Sequence, residues 1–165
     1  MAKDNSFDIM SECDMQEVDN AYNQAKKALS QRYDLKDTNS KLEFDKSAAS
    51  FTVLAPSDFI CGQVVDVLNS ALVKRKIDLA SVRWGKDEEA AGSMVRRQGS
   101  IIQGIEADIA KRISKDIKAQ KFKAKVQIEG EKLRVSSPKR DTLQEVIAFV
   151  KEQDYGIPLQ FGNYR

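Results

Sequence analysis

The residues best suited to chemistry lie in one short stretch. Lys123, Lys125, Gln127 and Glu129 alternate with Ala124, Val126 and Ile128, and Lys132 and Arg134 alternate with Leu133 and Val135. On a pleated strand successive side chains point to opposite faces. The two runs therefore place the cations Lys123, Lys125, Lys132 and Arg134 on one side of neighbouring strands and the aliphatic residues on the other. Such an array suits phosphate oxygens. It also suits plain solubility, because exposed strand positions are polar and lysine guards sheet edges. Two further arginines, Arg97 and Arg140, are secondary candidates. Arg96 and Arg97 precede Gly99 and Gly104 at a strand-to-helix junction before Ile105, and a helix N-terminus can hold a phosphate. The run GSIIQG lacks the GK[ST] ending of a phosphate-cradling loop and fits a turn or bulge better. An arginine such as Arg134 can stack on a base or read guanine through a bidentate pair. Tyr164 is placed by alternation opposite to Leu159 and Phe161, either facing out for stacking or half-buried at an edge.

Other chemistries are excluded by residue type. The 165 residues contain no histidine and two cysteines. There is no Ser-His-Asp triad and no histidine-ligated metal. Cys13 and Cys61 stand too far apart in the sequence for a CxxC pair, and with no further cysteine they cannot frame a zinc site. Carboxylates can do acid–base work, but Asp14 reads as a helix cap, and Asp8 and Glu12, on one strand face, have a simpler use as partners for cations. No nucleophile–base pair emerges, so no catalytic residue, metal or cofactor is expected. No apolar run approaches the length of a membrane span, and the N-terminal MAKDNSFDIM has no apolar signal core. The expectation is a cytoplasmic protein with no membrane partner.

The net charge of +2 conceals a local excess. Residues 111–140 carry 11 basic and 3 acidic side chains, a net of +8. By halves, residues 1–92 sum to −4 and residues 93–165 to +6.

These residues are positioned by an alternation of strand and helix signals. Phe7 and Ile9 mark a strand. Asp14 caps a helix, with Glu17 completing a capping box and Met15, Val18, Tyr22, Ala25 and Leu29 forming its apolar stripe. Leu42 and Phe44, then Phe51 and Val53, read as a hairpin. Ser57 or Asp58 caps a second helix with the stripe Val64, Val67, Leu68 and Ala71. Val82 and Trp84 mark a short strand, and Gly85–Gly92 is the best linker candidate. The order then repeats. Met94–Ile102 is a strand, and Ile105, Ile109, Ile113 and Ile117 line a helix. Two basic strands follow, joined by a tight turn at Gly130-Glu131. Ser137 caps a helix with Pro138 in its first position, and Leu143, Val146, Ile147 and Val150 form its stripe. Leu159–Arg165 is a last strand. This is βαββαβ twice, the ferredoxin-like split βαβ unit. Helices should cover one face of each antiparallel sheet and leave the other wet.

Several stretches together resemble the YajQ family: SFDIMSECD at 6–14, RYDLK at 32–36, QGIE at 103–106, VQIEGEKLRVSSPKRDTLQ at 126–144 and PLQFGNYR at 158–165. Where that family usually has an aliphatic residue this chain has Cys13, which is therefore read as a buried small apolar side chain rather than a reactive thiol. The resemblance implies an α+β fold of two ferredoxin-like domains whose N-terminal strands are exchanged. By that analogy the N-terminal strand joins the sheet of the second half, whose central wet positions would be Asp8, Met10, Lys132 and Arg134, and Asp8 and Glu12 would pair with Lys132 and Arg134. None of those four wet positions is aromatic, which argues against a standard RNA-recognition sheet. It implies domains of 15–102 and of 1–14 plus 103–165, each then carrying a net charge of +1. It further implies a non-catalytic nucleotide- or nucleic-acid-binding protein, cyclic-di-GMP receptors being reported among its members. RNA or cyclic-di-GMP is the expected partner, with a regulatory protein as a further one. An adaptor that binds protein and no nucleotide is the alternative.

Overall fold

The computed structural model describes residues 4–165. Its strands are β1 (Asn5–Met10), β2 (Lys41–Asp45), β3 (Ser50–Ala55), β4 (Val82–Trp84), β5 (Glu88–Ala90), β6 (Met94–Ile101), β7 (Lys125–Glu129), β8 (Lys132–Ser137) and β9 (Gln160–Gly162). Its helices are α1 (Met15–Gln31), α2 (Asp58–Lys74), α3 (Ala107–Ala119) and α4 (Arg140–Glu152). None of these is long and apolar enough to cross a membrane.

The strands form two antiparallel sheets. One runs β7-β8-β1-β9, and the other runs β2-β3-β6-β4 with β5 added against β6. Each has the ferredoxin-like order, and each takes a central strand from the other half of the chain. Asn5 through Ile9 pair with Ser137 back to Leu133. Val95 to Ser100 pair with Ala55 back to Ser50. The exchange of first strands is therefore present in both sheets. The chain divides into two compact units, one taking residues up to Glu12 together with Gln103–Arg165, the other Cys13–Ile102.

Each unit closes its own core with the stripes read from the sequence. In the Cys13–Ile102 unit, Val18, Ala21 and Ala25 of α1 and Val64, Val67, Leu68 and Ala71 of α2 bury against Leu42, Phe51 and Val53. Phe44, Phe51 and Trp84 continue this packing as a stack, with centroids 5.0 Å and 6.3 Å apart along the series. In the other unit, Phe7, Ile9, Leu133 and Val135 meet Ile113 and Ile117 of α3 and Leu143, Val146, Ile147 and Val150 of α4, all buried. Tyr155, buried beyond α4, donates its hydroxyl to Asp116 Oδ2 of α3 at 2.8 Å.

The local signals are refined at several places. Asp14 Oδ1 does cap α1, accepting from Gln16 N and Glu17 N at 3.0 and 3.3 Å. The Glu17 carboxylate turns outward to Asn20 and Arg75 instead of closing the box. Gly85–Gly92 is no linker: Glu88, Glu89 and Ala90 pair with Arg96, Val95 and Met94, so the polar segment folds back as β5 within one unit. The fourth helix starts two residues later than Pro138. Pairing of Asn5 with Ser137 extends β8 to that serine, whose Oγ accepts from Lys139 N at 3.3 Å. The last strand shrinks to Gln160–Gly162, because Asn163 turns into the left-handed region at φ +54. Cys13 is only partly buried. Burial still pushes its thiol upward in pKa, away from a reactive thiolate.

Two glycines make opposite predictions. A Cβ on Gly99, opposite Trp84 in the ladder, would stand 2.8 Å from Trp84 Cε3. Gly99→Ala should therefore lower stability by roughly 1–3 kcal/mol through overpacking. Gly62 lies inside α2, and a Cβ added there would have nothing within 4 Å. Gly62→Ala should raise stability by about 0.5–1 kcal/mol. Urea unfolding of both variants reads the signs directly.

Candidate functional site

The basic face is assembled by hairpin geometry. Gly130 supplies the positive φ of +62 that the two-residue turn to Glu131 requires. That turn sets the register: Glu129 opposite Lys132, Gln127 opposite Arg134, Lys125 opposite Ser136. One strand further in, Arg134 stands opposite Asp8. Opposed residues share a face, and this one points away from α3 and α4. Lys123 precedes β7 and continues the alternation, with Phe122 on the other side packed 5.9 Å from Phe149 of α4. The expected cations Lys123, Lys125, Lys132 and Arg134 are thus carried by one sheet face. The rest of the +8 segment is not. Lys111, Lys115 and Lys118 sit on α3, and the sheet separates them from the strand cations.

At the centre of this face lies a buried carboxylate. Asp8 is 1% exposed. It accepts from Asn163 Nδ2 at 2.9 Å and from Arg134 Nε at 3.3 Å, and Lys132 Nζ lies 3.3 Å from its Oδ2. Arg134 Nη2 also reaches Glu129 Oε2 at 3.4 Å. Burial alone would raise the Asp8 pKa. The bonds from Asn163, Arg134 and Lys132 outweigh it, and the carboxyl sits below the usual value. The four cations therefore divide into two kinds. Lys132 and Arg134 are held in place by internal anions. Lys123 and Lys125 take part in none of the ion pairs among the described residues.

Arg97 and Arg140 do not join this face. Arg97 stands on β6 in the other sheet, opposite Val53. It is clamped by Asp87 through two bonds, Nε to Oδ1 at 2.5 Å and Nη2 to Oδ2 at 3.0 Å. Arg140 opens α4, its Nε 3.4 Å from Asn5 Oδ1. It lines a cavity with Leu143, Gln144 and Tyr164 on the helix-bearing side. The glycines near Arg97 are occupied by packing: Gly99 lies beneath Trp84, and Gly104 lies against the Glu131 side chain. Helix α3 begins behind Glu106 and Asp108, and negative charge there opposes a phosphate.

Tyr164 also departs from simple alternation. Its ring lies 6.3 Å from that of Phe7, a fully buried core residue, so it belongs to the helix-bearing side. The left-handed Asn163 resets the face that follows it. No aromatic occupies the wet positions Asp8, Met10, Lys132 and Arg134 of the two central strands. Glu12, expected beside Asp8, instead bonds through its backbone N–H to Gln160. Asn163 was not readable as part of the site. Its partner lies 155 positions away, and the only local hint is that asparagine tolerates positive φ.

Comparison with known proteins places this architecture. The family model described as "Nucleotide-binding protein YajQ-like" matches residues 5–165. A "Nucleotide-binding protein" of Desulfitobacterium hafniense is 46% identical over 165 residues, covering 100% of both chains. One from Chloroherpeton thalassium is 44% identical over 160 residues, covering 97% of each. A third, from Koribacter versatilis, is 46% identical over 162 residues, covering 98% of each. The family model's match runs through both units, from the first residue of β1 to beyond β9. The chain belongs to the YajQ-like family of nucleotide-binding proteins.

Proposed function

We propose that this chain binds a nucleotide or nucleic acid without chemistry, on the wet face of β7 and β8, and that the two compact units are its domains, close to 15–102 and to 1–14 plus 103–165. The observation that carries the reading is the division of the cations. Among the described residues, Lys123 and Lys125 have no ion pair to give up, so phosphate oxygens gain their charge at little cost. Arg134 is fixed between Asp8 and Glu129. A guanidinium held in this way loses little freedom when a base stacks on its plane. The relatives are named for nucleotide binding, and their names state no reaction. Arg97 and Arg140 carry less weight, since one is clamped by Asp87 and the other faces the helix side.

The ligand class separates by salt. Single-stranded RNA and cyclic-di-GMP are titrated separately at two salt concentrations. A steep slope with RNA marks a polyanion site. Salt-tolerant, tight binding of the dinucleotide marks a receptor. Binding of neither shifts the reading to a protein-interaction adaptor.

The residue test follows from the ion pairs. Lys132→Ala with Arg134→Ala is a poor probe, because it strips a buried carboxylate of two partners. Lys123→Ala with Lys125→Ala should leave stability unchanged within about 0.5 kcal/mol. It should weaken RNA binding and flatten the salt slope by roughly 0.7 per lost phosphate contact. Unchanged affinity and slope would remove this face as the site.

Asp8→Asn should act in opposite directions on folding and binding. Loss of the charge-assisted bonds costs roughly 1–3 kcal/mol of stability, while Lys132 and Arg134 lose their counter-charge and phosphate binding tightens. The folded carboxyl lies below its ordinary 3.8, so its contribution is complete above that pH and is lost as pH falls through the folded value. Acid unfolding of Asp8→Asn, followed by circular dichroism, should therefore show a shallower decline below pH 3.8 than the parent.

A further inference from the structure

β7 is one of the two outer strands of its four-stranded sheet, and its sequence Lys125-Val126-Gln127-Ile128-Glu129 complements itself when reversed. An antiparallel copy centred on Gln127 sets Lys125 against Glu129 of the second copy and Glu129 against its Lys125. Val126 then meets Ile128 twice, and Gln127 meets Gln127. Opposite charges and paired aliphatics directly across a ladder are favourable. We propose that β7 pairs in this way with β7 of a second copy of this chain, about a two-fold axis at Gln127, joining two four-stranded sheets into one.

Three observations support the pairing. The first is burial. Ile128 is 43% exposed on the side where its hairpin neighbour Leu133 is fully buried. A second Val126 beside it would cover that edge.

The second is the direction of the backbone. In a two-residue hairpin the flanking residues exchange the closing hydrogen bonds. Glu129, Gln127 and Lys125 therefore direct their N–H and C=O groups to β8, and Ile128 and Val126 direct theirs outward. The proposed register brings those outward residues opposite each other as hydrogen-bonded pairs.

The third is a comparison within the molecule. β2, also an outer strand, reads Lys41-Leu42-Glu43-Phe44-Asp45. It would set Glu43 against Glu43 at its centre, a like-charge pair that is unfavourable, and its Leu42 is already buried. β7 has an amide at that position. Lysine commonly guards an edge against pairing, but here each Lys125 finds Glu129 of the other copy, whose carboxylate it would share with Arg134 at 3.4 Å. Glu131 adds nothing, since its side chain lies over Gly104.

A ladder this short gives a weak interface, so association should be visible only at high protein concentration. Sedimentation equilibrium without ligand, at protein concentrations up to about 1 mM, which reaches dissociation constants at the weak end of the affinity scale, should show reversible monomer–dimer behaviour. Val126→Pro removes an outward N–H, a change an edge strand tolerates. It should abolish the dimer while leaving the circular dichroism spectrum of the monomer unchanged. Should that variant misfold, charge exchange decides. Lys125→Glu alone and Glu129→Lys alone should each be monomeric, and an equimolar mixture of the two should form a heterodimer. A chain that stays monomeric throughout the concentration range overturns the proposal. So does a dimer that persists in folded Val126→Pro, or a mixture of the charge variants that does not associate.

Discussion

The pairing of β1 with β8 is the constraint on which the rest of this structure depends. It joins Asn5 to Ser137 and Ile9 to Leu133, closing almost the whole chain into one loop. That ladder places Phe7 and Ile9 under α3 and α4 and puts Asp8 on the opposite face. Because side chains alternate strictly along a strand, a slip of one residue would carry Asp8 into the core and Phe7 into solvent. The apolar pattern and the ion pairs of Asp8 thus enforce the same register from opposite sides of one strand.

Burying a carboxylate is costly unless charge and hydrogen bonds answer it. Asp8 is answered by Lys132 and Arg134 from β8 on one side and by Asn163, just beyond β9, on the other. The result is a face with a rigid basic centre and a more open basic margin at Lys123 and Lys125. The distinction matters for recognition. Charges already paired inside the protein position a ligand, whereas charges in water are the ones whose counterions a phosphate releases. The same margin lies on β7, so this outer strand is both the basic rim of the face and the edge at which pairing with another chain would occur.

Much of the fold was legible in the residues because period and caps are local properties. Three of the apolar stripes, the Asp14 and Ser57 caps, the hairpin at Gly130 and the alternation of β7 and β8 all stand where the sequence puts them; in the other stripe Ile113 and Ile117 are buried on α3, but Ile105 lies before the helix, which begins at Ala107. Misreadings arose where a distant partner decided the local outcome. Gly85–Gly92 looks like a linker by composition, yet pairing with β6 makes it a strand. Ser137 looks like a helix cap, yet pairing with Asn5 keeps it in β8. Tyr164 follows the alternation of Leu159 and Phe161 only until Asn163 breaks it with a positive φ.

The order of residues specifies which positions are apolar, at what period, and so which side of each helix and strand is wet. It also limits the available chemistry to that of lysine, arginine and carboxylate, without histidine. The exchange of strands came from the family resemblance, since periodicity carries no information about partners. Which cations are spent is settled by the folded chain alone. Lys125 and Lys132 are equivalent in the sequence, each one position in an alternating run. They differ because Asp8, more than a hundred residues away, is brought next to Lys132 and not to Lys125. A charge's availability depends on what lies within a few ångströms of it, and that neighbourhood exists only once the sheet has closed.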